Sequence, residues 1–136
     1  MKKLAEILTS TGCSLVVEKD GETTTYGKKG VRNLIWLLDN EPERLQGARV
    51  ADKVVGKAAA MMLVRGGTLE VYAEIISEPA LEVLKAHKVL CLYNELVPHI
   101  INRDKTGVCP MEEAVMEVQD ITAAYNILIK KTGGAQ

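Results

Sequence analysis

The sequence predicts an α/β fold in which a mixed sheet is covered by helices on both faces. Stretches with apolar residues three and four positions apart, typical of helices, alternate along the chain with stretches typical of strands. The chain has 136 residues, of which 47% are apolar, so it has the length of about one domain and enough apolar side chains for one core. We therefore expect a single domain over residues 1–131 and a flexible tail over 132–136.

The first forty residues predict a helix, a hairpin and a second helix. Apolar residues at helical spacing indicate a first helix that ends at Gly12. A turn signal at 19–21 separates two strand-like stretches, 13–18 and 22–26, as in a β-hairpin. The next apolar face at helical spacing predicts a second helix over 31–39.

The middle of the chain predicts a short edge element followed by a helix. Residues 48–51 form the edge element. Asp52 is a good N-cap, so we expect the helix to run over 53–65. Gly66 and Gly67 then end it, because glycine suits the left-handed residue that commonly follows a helix.

The last part of the chain predicts three strands and two helices. Serine followed two positions later by proline is typical of a helix start, and a continuous apolar run is typical of a strand buried on both faces. The expected elements are a strand over 68–76, a helix from Ser77, a buried strand over 89–93, a short strand over 96–101, and a helix over 111–129 with a break near Gln119.

The overall charge argues against nucleic-acid and membrane partners. The chain has 17 basic and 18 acidic residues, so it has no large positive field that would attract bulk nucleic acid or a membrane surface. The longest apolar run, 58–64, is far shorter than the ~20 residues that cross a bilayer. Three cysteines without paired spacing fit a reducing compartment, so we expect a cytoplasmic protein.

The start of the predicted middle helix is a candidate anion site. Lys53 and Lys57 are four residues apart, so in a helix they share one face near its positive end, and Arg49 precedes them. The alternative is that both lysines lie on a solvated face. Gly56 within a helix indicates a close approach, either of a neighbouring strand or of a ligand.

The start of the last helix is the second candidate. Cys109 precedes a proline, so its thiol is expected near open helix amides, which favour the reactive thiolate. Glu112 opposes this by placing a carboxylate at the same end, and a cysteine that only caps the helix is the alternative. Asn102 and Arg103, on the preceding loop, are candidate polar contacts, although Arg103 can equally form a structural ion pair.

These two stretches resemble a small, functionally uncharacterised family of prokaryotic proteins with a cytidine-deaminase-like fold. The matching residues are Asp52-Lys53-Val54-Val55-Gly56-Lys57-Ala58-Ala59-Ala60 and Cys109-Pro110-Met111-Glu112. The resemblance implies a three-layer α/β/α sandwich. Zinc deaminases begin one helix with His-x-Glu or Cys-x-Glu and the next with Pro-Cys-x-x-Cys. Here these positions hold Asp52-Lys53-Val54 and Ser77-Glu78-Pro79-Ala80-Leu81, so we expect no zinc and no cofactor.

The leading hypothesis is that the chain binds a small phosphorylated or nucleotide-like molecule between the two helix starts. The ligand-binding candidates are Arg49, Lys53, Gly56, Lys57, Asn102 and Arg103. In a metal-free enzyme the catalytic candidates are Asp52, Cys109 and Glu112. The competing hypothesis is a structural or interaction protein that forms a homodimer through its last helix or its hairpin.

Overall fold

The computed structural model describes residues 2–27, 31–100 and 110–131. Within these residues the helices and strands follow one another as α1 (Lys2–Ser10), β1 (Leu15–Lys19), β2 (Glu22–Tyr26), α2 (Arg32–Asn40), β3 (Arg49–Val55), α3 (Lys57–Arg65), β4 (Glu70–Ser77), α4 (Glu78–Ala86), β5 (Leu90–Val97), α5 (Pro110–Val115) and α6 (Ile121–Lys131). A short 3-10 turn, Pro42–Arg44, precedes β3. None of the described helices has the length and apolar character needed to cross a bilayer.

The five strands form one mixed sheet with the order β2-β1-β3-β4-β5. β1 is antiparallel to both of its neighbours, β2 and β3. β3, β4 and β5 are parallel, with Val50 opposite Val71 and Val71 opposite Cys91. The predicted α/β class with a mixed sheet is therefore confirmed.

The core lies mainly on one face of the sheet. Two successive crossovers, through α3 and α4, connect the parallel strands in the same direction, so both helices cover the same face. Buried residues of α3 and α4 pack there with α2, α5, α6 and sheet residues such as Val50 and Val71. α1 covers the other face, where Leu4 and Leu8 pack on Val16 and Ala51. The carboxyl ends of β3 and β4 thus lead directly into the starts of α3 and α4.

The local predictions for the N-terminal part are confirmed. The hairpin turns at Asp20 and Gly21, whose φ angles of 52° and 84° suit the turn of a tight hairpin. α1 and α2 occupy the two stretches predicted to be helical.

The predicted break near Gln119 is also present, because α5 ends at Val115 and α6 begins at Ile121.

The predictions for residues 48–56 were wrong. The expected edge element and the first turns of the expected helix form the seven-residue strand β3, which lies between β1 and β4. Asp52 is therefore a strand residue and not an N-cap, and Lys53 does not share a helical face with Lys57. In sequence, Asp52 and Lys53 resemble the start of a helix. The hydrogen bonds that β3 forms with the strands on both of its sides make this stretch a strand instead.

The prediction for the last strand was also wrong. The stretch expected to be a strand buried on both faces, 89–93, belongs to one continuous strand, β5, at the edge of the sheet. Most of its side chains are exposed. The second short strand expected over 96–101 is partly the end of β5, and residue 101 lies outside the described residues. An apolar run does not reveal whether its apolar faces are covered within the same chain.

The predicted start of α4 is confirmed, and it supports a stability test. Ser77 is fully buried, and its Oγ accepts a hydrogen bond of 3.2 Å from the Ala80 backbone N–H. We expect Ser77→Ala to lower the free energy of unfolding by about 1 kcal/mol, because the N-cap is lost. Urea unfolding measures this, with Ser10→Ala at an exposed position as the control. Equal losses in the two variants would contradict a capping role for Ser77.

Candidate functional site

The start of α3 is capped by a side chain from a distant part of the chain. Gly56 is the N-cap residue, and it has no side chain with which to cap the helix. Instead, the Ala58 backbone N–H donates a hydrogen bond of 2.8 Å to Oε2 of Glu112, which lies in α5. Glu112 is only 6% exposed. A carboxylate thus occupies the positive end of the helix, where open amides and the helix dipole favour an anion.

Gly56 makes room for this carboxylate. A Cβ atom at position 56 would lie 2.4 Å from both Cδ and Oε2 of Glu112. Such a distance is shorter than any normal van der Waals contact, so either the backbone or the Glu112 side chain would have to move. The sequence left open whether a strand or a ligand approaches Gly56. In the structure, the Glu112 side chain makes that close approach.

Lys57 lies beside this contact at the first residue of α3. Its side chain is only 8% exposed, and Nζ donates a hydrogen bond of 2.7 Å to the Met116 carbonyl oxygen. Within the described part of the chain, no ion pair joins Lys57 to a carboxylate. An ammonium group has three N–H donors. A nearly buried cation is therefore held by a neutral acceptor.

A cavity of about 440 Å³ adjoins Lys57. Its walls are α3, α4 and the connection between α5 and α6, and its volume falls in the range of typical small-molecule sites. The polar lining residues are Lys57, Glu82, His87 and Gln119, and apolar residues such as Met61, Val83 and Ile121 complete the surface. The second cavity at the start of α3, which Gly56 and Glu112 line, measures only about 70 Å³ and is too small for a nucleotide.

Asp52 is a buried acid inside the sheet. It lies on β3 between Leu15 of β1 and Ala73 of β4, and it is 6% exposed. Burial raises the pKa of its carboxyl group from 3.8 to about 8, although backbone hydrogen bonds from Val54 and Lys53 oppose the shift. Asp52 lines neither of the two cavities at the start of α3.

The structure brings together only part of the predicted site. Gly56, Lys57 and Glu112 meet at the start of α3. Arg49 lies at the other end of β3, near Glu18 and Glu70 with N–O distances of 4.0 and 3.7 Å, so it is remote from this corner.

The remaining predicted residues stand apart from this corner or cannot be placed. Lys53 is an exposed residue of β3. Asn102, Arg103 and Cys109 lie outside the described residues. The catalytic roles of Asp52, Cys109 and Glu112 stay predictions.

Sequence reasoning missed the residues that α4 and the connection between α5 and α6 contribute. Glu82 of α4 and His87, which follows that helix, line the cavity, and the Met116 carbonyl accepts a hydrogen bond from Lys57. The break near Gln119 could have predicted part of this site, because an interrupted helix indicates a loop, and binding residues often lie on loops. No local pattern indicated that the outer surface of α4 faces α3 and this loop.

The described residues also bear on metal binding. Within 2–27, 31–100 and 110–131, no group of three or more His, Cys, Asp or Glu side chains is placed to hold a metal ion. The described residues that open α3 and α4 also include neither cysteine nor histidine. The donor sets that zinc deaminases use are therefore missing at these two helix starts.

Comparisons with known proteins identify relatives of the chain but no activity. A family model described as TM1506, a domain of unknown function (DUF1893), matches residues 3–132. The chain is similar to the crystal structure of a DUF1893 family protein (TM1506) from Thermotoga maritima, with 27% identity and a TM-score of 0.87. The match covers 96% of this chain and 88% of that one. Among proteins with curated descriptions, none matches the chain.

Proposed function

Because this chain belongs to the TM1506 family, whose domain has no known function, we propose a function from the geometry of its site. The protein binds a small phosphorylated or nucleotide-like molecule in the 440 Å³ cavity beside the first turn of α3. The ligand's anionic group is held by Lys57.

The proposal is supported mainly by the burial of Lys57 next to a single neutral acceptor. A buried cation costs free energy unless charge or hydrogen bonds compensate it, and here the described residues supply one neutral carbonyl. The same side chain lines a cavity large enough for a small ligand. A phosphate oxygen at Nζ would compensate the charge with short, charge-assisted hydrogen bonds.

Glu112 determines where the anion binds. Its carboxylate already occupies the amides of α3, so a phosphate there would have to displace it. We therefore place the phosphate at the Lys57 ammonium group, on the cavity side of the helix. Hydroxyl and amine groups of the ligand then meet Glu82 and Gln119, which accept hydrogen bonds. This revises the sequence-based hypothesis, which placed the ligand between the two helix starts.

We also propose that the fold is a cytidine-deaminase-like fold without the zinc ligands. The strand order, the antiparallel β1 and the starts of α3 and α4 at one edge of the sheet support this assignment. In zinc deaminases the starts of these two helices supply the metal ligands. The proposed binding cavity reaches both helix starts in this chain, through Lys57 and Pro79.

Binding calorimetry with two lysine variants tests the proposed function. The probes are the nucleoside 5′-monophosphates, ribose 5-phosphate and inorganic phosphate. We expect at least one organic phosphate to bind the wild-type protein, and Lys57→Met to weaken it about 10- to 100-fold, because a charged hydrogen bond contributes about 1.5–3 kcal/mol. Lys53→Met, at an exposed strand lysine, should change the affinity less than twofold.

Two outcomes would contradict the proposal. One is that no phosphate compound binds the folded wild-type protein. The other is that Lys57→Met and Lys53→Met bind the same compound as tightly as the wild type does. Circular dichroism checks that both variants are folded, because Lys57→Met also removes the hydrogen bond to the Met116 carbonyl.

A further inference from the structure

We propose that β5 is an interface through which two copies of the chain pair edge to edge, in antiparallel orientation, to extend the sheet. The two copies are related by a two-fold axis perpendicular to the sheet, close to Tyr93. No β5 residue lines the proposed ligand cavity, although Glu82 of α4 borders both that cavity and the groove beside Leu96. The variants that test the interface leave Glu82 unchanged. The inference therefore does not depend on ligand binding.

Large apolar side chains are concentrated on β5. Within the described residues, four of the seven exposed large apolar side chains lie on this strand. They are Leu90, Leu92, Tyr93 and Leu96, with exposed fractions of 59, 48, 43 and 41%. Apolar surface clustered on one strand is a common feature of protein interaction sites.

The backbone of β5 is also open for pairing. Among the residues that the structure describes, its eight residues pair with β4 and with no other strand. Natural edge strands usually carry lysine, proline or a bulge that prevents pairing with other chains. β5 has one charged residue, Glu95, and neither proline nor lysine. β2, at the other edge, is rich in threonine and carries none of the exposed large apolar side chains.

The charges along this edge favour a second, antiparallel copy. Lys85 and Lys88 lie near the start of β5, and Glu95 lies near its end. Glu78 and Glu82 of α4 line a groove with Leu96 and outnumber Lys85, which also lines it, so the groove adds net acidic charge close to the end of the strand. In an antiparallel pair, the basic end of one copy faces the acidic end of the other. A parallel pair would place like charges together.

Centring the pair on Tyr93 gives a specific register. Leu90 of one copy then lies opposite Leu96 of the other, and Tyr93 lies opposite its own counterpart. The same register places Glu95 opposite Cys91 of the second copy, and Lys85 lies close enough to Cys91 for its charge to act on that thiol. Main-chain hydrogen bonds and apolar cross-strand pairs would together stabilise the interface.

Sedimentation analysis tests the oligomeric state of the full chain. We expect the wild-type protein to sediment at twice its 14.8 kDa chain mass at micromolar concentrations and to dissociate on dilution. Tyr93→Lys should raise the dissociation constant about 100-fold or more, because two like charges would face each other at the axis. Thr25→Lys, which places the same charge on the exposed part of β2, should leave the dimer intact.

The register has a separate test. Lys85→Glu and Glu95→Lys should each weaken the dimer, and the double variant should restore it, because the swapped charges attract again. Hydrogen exchange on the unmodified protein supplies a readout that needs no variant. The backbone amides of β5 that point away from β4 should lose protection as the protein is diluted.

Three results would overturn the proposal. The first is that the wild-type protein is a monomer at every concentration. The second is that the dimer persists in Tyr93→Lys. The third is that Thr25→Lys dissociates the dimer, which would assign the interface to β2. A dimer that tolerates Tyr93→Lys while the β5 amides that point away from β4 exchange freely would exclude β5 directly.

Discussion

The wild-type protein should lose about 3–4 kcal/mol of unfolding free energy between pH 5 and pH 8, and Asp52→Asn should remove this dependence. Asp52 is buried in the central strand of the sheet, where burial raises the pKa of its carboxyl group to about 8. The native state therefore keeps the proton over a range in which the unfolded state has already released it. No other described group with a resolved pKa shift titrates within this window.

The sign follows from proton binding in the two states. Above the unfolded pKa of 3.8, the native state binds more protons than the unfolded state, so raising the pH favours unfolding. The contribution of Asp52 is fully present below that value and is lost as the pH approaches about 8. An asparagine at position 52 does not titrate, so this source of pH dependence disappears.

Urea unfolding at pH 5, 6, 7 and 8 measures this prediction. Asp52→Asn should give a flatter profile and should be more stable than the wild type at pH 8. Asp20→Asn is the control, because Asp20 is an exposed turn residue, and it should retain the wild-type slope. A wild-type profile that is flat between pH 5 and pH 8 would show that Asp52 titrates normally.

The second large effect concerns the contact between Gly56 and Glu112. Gly56→Ala should lower the free energy of unfolding by about 1–3 kcal/mol, because the new methyl group forces the carboxylate off the Ala58 N–H and leaves that buried donor unsatisfied. Glu112→Ala should cost a similar amount for the same reason. Gly27→Ala is the control, since a Cβ at position 27 meets no atom within 4 Å, and it should stay within about 0.5 kcal/mol of the wild type.

A double-mutant cycle distinguishes this contact from unrelated strain. Once Glu112 is alanine, Gly56→Ala has no carboxylate to displace, so the double variant should be little less stable than either single variant. Denaturant unfolding of the four proteins measures the coupling. Additive losses would mean that Gly56 and Glu112 act independently, which would contradict the role assigned to Gly56.

Sequence reasoning succeeded where short-range chemistry decides the structure. The hairpin follows from Asp20 and Gly21, and the start of α4 follows from Ser77 and the proline two residues later. It failed at β3, because an aspartate beside a lysine is typical of a helix cap. Only pairing with β1 and β4 makes this stretch a central strand. β2 and α2 separate it from β1 along the chain, and α3 separates it from β4.

The sequence identified three residues of the candidate site but not the contacts that they make. Gly56, Lys57 and Glu112 were all named from the sequence, and the structure places them together. Ala58 and Glu112 are 54 positions apart, so no local pattern could show that this carboxylate caps α3. Arg49 was assigned to the same corner only because the strand was mistaken for a helix start. It is the first residue of the seven-residue strand that precedes α3, and so lies at the far end of β3.

A crystal structure of the protein grown with the tightest-binding organic phosphate shows whether Lys57 holds the anion. We expect a phosphate oxygen within hydrogen-bond distance of Lys57 Nζ, inside the cavity between α3, α4 and the connection between α5 and α6, with Glu112 still bound to the Ala58 N–H. A ligand bound elsewhere on the molecule, while Lys57 keeps only its bond to the Met116 carbonyl, would contradict it.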